Sequence, residues 1–354
     1  MDQINLSKFE KEKNASCMAG NASILFQNQV YIINSASVVG QKEGEGPLGA
    51  LFDAISEDPM FGCDTWEAAE STLQKEACTL VLGKSGKTEH DIRYLFAGDL
   101  LGQLIASSFG IKELNRPFFG LYGACSTCGE SLSLGAMTVQ AGYATTVLCV
   151  TSSHFASAEK QFRFPLEYGN QRPKSATWTV TGAGAFLVSS KKENAKAQIT
   201  GITTGKIVDA GIRDSMNMGA AMAPAAADLI IQNLRDFHRT PDDYDKIITG
   251  DLGSIGQALL IDELKQQGYD ISKKHLDCGI EIFDPSAQGT DAGGSGCGCS
   301  AVVLSAYILK QIEEGTWKRV LFLPTGALLS TVSFNEGQSI PGIAHGIVLE
   351  SIAS

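Results

Sequence analysis

The sequence predicts a duplicated α/β protein, and three observations carry that reading. The stretch TEHDIRYLFAGDL (88–100) aligns without gaps on TPDDYDKIITGDL (240–252), an offset of 152 residues. Further on, LSLGAMTVQAGYATTVLCV (132–150) is echoed in the same order by SAYILKQIEEGTWKRVLFL (305–323), now at an offset of 173. Apolar strand runs alternate with helical runs throughout, which implies mainly parallel pairing with helices covering the sheets.

Each element has a local reason. Amphipathic helical patterns, WEAAESTLQKEACTLVL (66–82) and AAADLIIQNLRDFH (225–238), precede the first echo in both copies. Each copy then gives a helix end, an acidic turn, a short apolar strand and Gly-Asp-Leu. The second echo gives a helix, a glycine at its end (Gly142, Gly315) and a buried-strand run at 147–150 or 320–323. These matches define an N-terminal half over 24–190 and a C-terminal half over 197–351. Two fused copies set equivalent strand ends around a pseudo-twofold axis, and ligands collect at the carboxyl ends of such strands and at domain junctions. The two GDL turns and the loop LYGACST (121–127) are therefore expected to converge on one cleft.

Composition narrows the function. The 354 residues carry a formal charge of −11 and no basic stripe, which argues against nucleic acid as a partner. No run approaches the roughly 20 apolar residues that span a bilayer, and the polar start MDQINLSKFEKEKNAS reads as neither signal peptide nor anchor. Nine cysteines, an odd count, suggest reduced thiols.

The stretch GACSTCGESLSLGAMTVQAGYATTVLCV (123–150), with a cysteine at the start of a central helix, resembles the thiolase-like superfamily, which includes the ketoacyl synthases. A narrower resemblance is to a family of sporulation proteins within that superfamily. GPLGALFD (46–53), AGDLL (97–101) and TSSHFASAEKQFRFPLEYGNQRPKSATWTVTGAGA (151–185) carry it, together with MAPAAAD (222–228), GGSGCGCSAVV (293–303), TGALLS (325–330) and SIPGIAHG (339–346). The resemblance implies a five-layered αβαβα fold and a homodimer formed through the N-terminal half. It also implies binding of dipicolinic acid, free or as its calcium salt, for uptake into the developing spore. Membrane proteins of the same operon would be its partners, and the location would be peripheral, at the spore inner membrane. No cofactor is expected.

Condensing chemistry needs a thiolate and, from the second half, a histidine with an asparagine or second histidine to stabilise the enolate or oxyanion. The histidine position of decarboxylating synthases falls on Gly250 and Asp251, and no histidine lies between His238 and His275. The glycine-rich loop GTDAGGSGCGCS (289–300) contains no asparagine. An aspartate beside Cys125 would raise the thiol pKa and repel an oxyanion. The site therefore reads as a degenerate, non-catalytic one. Cys125 is then a pocket residue or a buried thiol; the alternative is a ketoacyl-synthase-like acyltransferase with Cys125 as the acyl-thioester nucleophile, and a third reading is a scaffold without a small ligand. Cys125 and Cys128, with Cys297 and Cys299, would give four thiolates to a zinc ion. But C-x-C is not the usual chelating spacing, so no metal is expected.

A flat pyridine dicarboxylate needs an apolar slot with donors on opposite sides. The segment 152–174 offers His154, Lys160, Arg163, Arg172 and Lys174 among aromatics, as a loop across the cleft mouth or as a dimer contact, and His154 and Arg163 are the favoured ligand residues. Asp99 and Asp251 are the paired acids of the duplicated turn. Turn closure is their plain role, and Asp251 is also a candidate for the ligand or its calcium. Ser295, in a glycine-rich loop entering a helix, marks a generic anion site. His345, in the strand-like run SIPGIAHGIVLES (339–351), is a candidate cleft residue.

Overall fold

A computed structural model describes residues 17–162 and 171–352. The N-terminal half supplies β1 (Tyr31–Gly40), β2 (Leu95–Gly98), β3 (Phe118–Gly120), β4 (Thr146–Ser153) and β5 (Gly182–Ser189). The C-terminal half supplies β6 (Ala197–Thr204), β7 (Lys246–Thr249), β8 (His275–Asp277), β9 (Arg319–Leu323) and β10 (Gly342–Glu350). Their spatial order is β8-β7-β9-β10-β6-β1-β5-β4-β2-β3. Read from either end, the order meets equivalent strands of the two halves in the same sequence. The halves join where β6 pairs with β1 over Ala197–Ile32 and Gln198–Tyr31.

The duplicated turn is visible in detail. Thr88 and Asp91 form a reciprocal capping box on one short 3-10 helix, and Thr240 and Asp243 form the same box on the other. Gly142 and Gly315 both adopt left-handed φ, +76° and +73°, at their helix ends, where a residue without Cβ carries no steric penalty.

Strand alternation builds the layers. Along β4, Val147 and Cys149 face a central core while Leu148 and Val150 face an outer one. Along β9, Val320 and Phe322 face the same central core while Leu321 and Leu323 face the opposite outer core. The outer layers are α1 (Trp66–Ser85) on the first half, and α4 (Met218–Asp236) with α5 (Gly253–Gln266) on the second. The middle layer holds α2 (Thr127–Gln140), packed against both β4 and β10, and α6 (Cys297–Val303), which continues through a π-helical turn at Leu304–Ile308. This is the expected five-layered arrangement. The helix α4 reaches upstream of the amphipathic pattern to Met218, capped by the Asn217 side chain and running through Pro224.

Segment 152–174 is not simply a loop: residues Phe155–Phe162 form helix α3. No helix among the described residues is long and apolar enough to cross a membrane.

Candidate functional site

The carboxyl ends of β2, β4, β7 and β9 meet the loop that precedes α2, and Cys125 sits at that meeting point, 7% exposed. The loop is held tightly. Ala124 takes φ +50°, a left-handed conformation that a non-glycine residue adopts only when its surroundings dictate it. Thr127 Oγ1 accepts from Gly123 N at 3.0 Å and donates to Ala124 O at 2.6 Å. On the far side Gly326 must be glycine, because a Cβ there would lie 2.3 Å from Gly123 O.

Asp251 lies directly behind Cys125. Its Oδ2 accepts from Gly296 N at 2.9 Å and its Oδ1 from Thr325 Oγ1 at 2.9 Å, and the Cys125 thiol donates to the same carboxyl. Burial pushes Asp251 up to about 7, against the hydrogen bonds that favour its ionised form. Burial, then the nearby Asp251 and Cys297, hold the Cys125 thiol well above its ordinary value. No histidine ring bonds to either group among the described residues.

The two acids of the duplicated turn have parted in role. Asp99 closes its turn, accepting from Leu101 N and from Ser107 N, both at 2.8 Å, and from Ser107 Oγ at 2.7 Å. In the second half Asp277 does that work, accepting from Leu252 N at 2.8 Å and Gly253 N at 3.1 Å. Asp251 is thereby released to face the thiol.

Cys125 lines a cleft whose empty space, open solvent included, is about 740 Å³. Glu159, Thr177, Thr179, Ser295, Gly296 and Met216 are among the other residues that line it. Ser295 is fixed by a short parallel pairing with Trp178–Thr179. Gly296 turns the chain at φ +104°, and a Cβ there would meet Ser153 Oγ at 2.6 Å. A Cβ on Gly298 would come within 2.3 Å of the Gly182 carbonyl, so the glycine-rich loop lets α6 press onto β5.

The remaining candidates lie elsewhere. His154 is buried outside the cleft wall: its Nε2 donates to Pro59 O at 2.8 Å, its Nδ1 accepts from Ala156 N at 3.2 Å, and its ring packs on Trp66. Desolvation lowers its pKa. His345 sits on β10 with its carbonyl against Gly129 of α2, and burial takes its ring down to about 4. Arg163 lies outside the described residues. The four thiols of the two cysteine motifs are buried and free, and no group of three or more His, Cys, Asp or Glu among the described residues is placed to hold a metal. Cys297 instead donates to Ser152 O at 2.9 Å.

Sequence reasoning did not single out Glu159, Thr177 or Met216. Glu159 and Thr177 lie within the stretch 151–185 but carry no donor pattern of their own, and no motif or repeat marks Met216.

The stage V sporulation protein AD family profile matches residues 20–350. The chain belongs to that family. It is 44% identical over 333 residues to stage V sporulation protein AD of Bacillus subtilis (strain 168), covering 94% of this chain and 98% of the relative. It is thus a sporulation protein. Its fold is thiolase-like: human mitochondrial 3-ketoacyl-CoA thiolase, solved with CoA, superposes at a TM-score of 0.56 with 13% identity, over 93% of this chain and 99% of the thiolase. The 3-oxoacyl-[acyl-carrier-protein] synthase III of Aquifex aeolicus VF5 superposes at 0.54 with 12% identity, over 91% and 99%.

Proposed function

We propose that this sporulation protein binds dipicolinate, free or as its calcium salt, in the Cys125 cleft without chemical turnover. Binding serves uptake of dipicolinate into the developing spore. The observation that carries the reading is the pairing of Cys125 with Asp251. A condensing site needs an activated thiolate and donors for an oxyanion. Here burial and the neighbouring Asp251 hold the Cys125 thiol well above its ordinary value, which disfavours the thiolate that condensing chemistry needs. The cleft itself is retained, with hydroxyls at Thr177, Thr179 and Ser295 and apolar walls.

In this reading the protein works peripherally at the spore inner membrane, and membrane proteins of the same operon supply the conducting path. It acts as a homodimer through β3, an edge strand whose Phe118 and Phe119 are 40% and 50% exposed.

Calorimetric titration with dipicolinate, with and without calcium and with benzoate as control, tests the reading. Saturable, dipicolinate-selective binding is expected, and Cys125→Ser is expected to keep that affinity within about threefold because the thiol supplies shape rather than charge. Absence of binding in either form rejects it. Acyl-thioester labelling of Cys125 would favour an acyltransferase instead.

A further inference from the structure

Beside the cleft lining stands an arginine that the sequence offered among the donors of segment 152–174 without favouring it. The Arg172 side chain is 3% exposed. A guanidinium keeps its charge at any working pH, so burying it requires acceptors. Its counter-charge is Glu159, whose Oε1 is 3.3 Å from Nη1, and that same oxygen also accepts from Thr179 Oγ1 at 3.0 Å. Nε and Nη2 are buried and reach no acceptor among the described residues. These two are not an arbitrary pair. Nε–H and the adjacent Nη2–H point the same way from one edge of the planar group, and that edge is the fork that grips a carboxylate with two parallel hydrogen bonds.

The surroundings concentrate positive charge. The Arg172 guanidinium carbon is 5.1 Å from the Trp178 ring centroid, Lys42 Nζ is 4.3 Å from the same centroid, and Phe155 stacks on that indole at 4.1 Å. Lys42 is partly spoken for by the Gln288 carbonyl at 2.7 Å, but its charge adds to the local positive field. Glu159 and Thr179, the neighbours of the guanidinium, line the cleft together with Cys125 and Ser295. In a chain of net charge −11, Arg172 is a buried cation in direct contact with Glu159, a residue that lines the cleft.

We propose that Arg172 is the carboxylate anchor of the Cys125 cleft, its Nε/Nη2 edge taking one carboxylate of an aromatic dicarboxylate in a bidentate pair. The proposal rests on the cleft being the ligand site. Glu159 holds the guanidinium in place from the Nη1 side and competes with the ligand for its charge.

Calorimetry on the full chain with dipicolinate and with its neutral isostere pyridine-2,6-dicarboxamide tests this. Arg172→Lys keeps a charge but lacks the fork. It is expected to weaken dipicolinate about tenfold or more, the usual range for a lost charge-assisted bond, while changing the dicarboxamide little. Glu159→Gln keeps an acceptor for Thr179 but removes the competing charge, and is expected to tighten dipicolinate severalfold. If the wild type binds dipicolinate and neither variant moves its affinity, the anchor is wrong while the cleft reading stands. If the wild type binds neither compound, the cleft reading fails and the anchor with it. Should Arg172→Lys lose its fold by circular dichroism, Glu159→Gln decides alone: unchanged or weaker binding overturns the anchor.

Discussion

Replacing Asp251 by asparagine isolates the carboxyl that faces Cys125. The amide oxygen keeps an acceptor for Gly296 N–H or Thr325 Oγ1, so the change is chiefly one of charge. Burial takes Asp251 from its ordinary 3.8 to about 7. At about 1.4 kcal/mol per tenfold change in proton affinity, ionising it in the folded protein costs about 4 kcal/mol. The sign follows from proton counts. Between pH 4 and 7 the folded state holds a proton that the unfolded state has lost, so wild-type stability falls as pH rises through that window and levels off above it. The asparagine variant carries no such proton. Its advantage over wild type should grow from under about 1 kcal/mol at pH 4 to about 4 kcal/mol at pH 8. With an unfolding entropy near 2.1 cal/mol/K per residue, that is a gap of about 5 °C in Tm at pH 8. Glu43, also raised to about 7 by burial, contributes equally to both proteins and cancels in the difference. Thermal unfolding of the pair across pH 4 to 8 reads the gap, and alkylation of Cys125 by iodoacetamide should quicken at pH 8 once the neighbouring charge is gone. A gap between the two proteins that does not grow from pH 4 to pH 8 would refute the raised pKa of Asp251.

Two further substitutions probe how the site is held. Gly326→Ala forces a Cβ to within 2.3 Å of the Gly123 carbonyl; the Cys125 loop must shift, costing about 1–3 kcal/mol in urea unfolding and reducing dipicolinate binding. Thr88→Ala and Thr240→Ala each remove one of the two equivalent capping boxes, and each should cost about 1 kcal/mol without changing ligand affinity.

The duplication was legible in the sequence alone, because its signals are local. The Thr-x-x-Asp box, the apolar strand and the glycine at each helix end recur in order, and each rests on interactions within a few residues. The family was equally legible, since its motifs run through most of the chain. The cleft was legible only in part. Cys125 and Ser295 border chain turns that already look like sites, and the structure brings both to its wall with Asp251 behind them. Which polar groups face one another is set by tertiary packing. Asp99 and Asp251 are equivalent in sequence, yet the backbone amides that solvate Asp99 come from its own turn, while in the second half Asp277, on the neighbouring strand, takes that work. His154 sits at a strand end near the cleft in sequence but turns its ring to Pro59 and Trp66. Arg172 is one of five cations in segment 152–174 by sequence, and only burial, Trp178 and Glu159 around it set it apart. Long-range packing chooses these partners, and burial multiplies the energetic consequence of each choice.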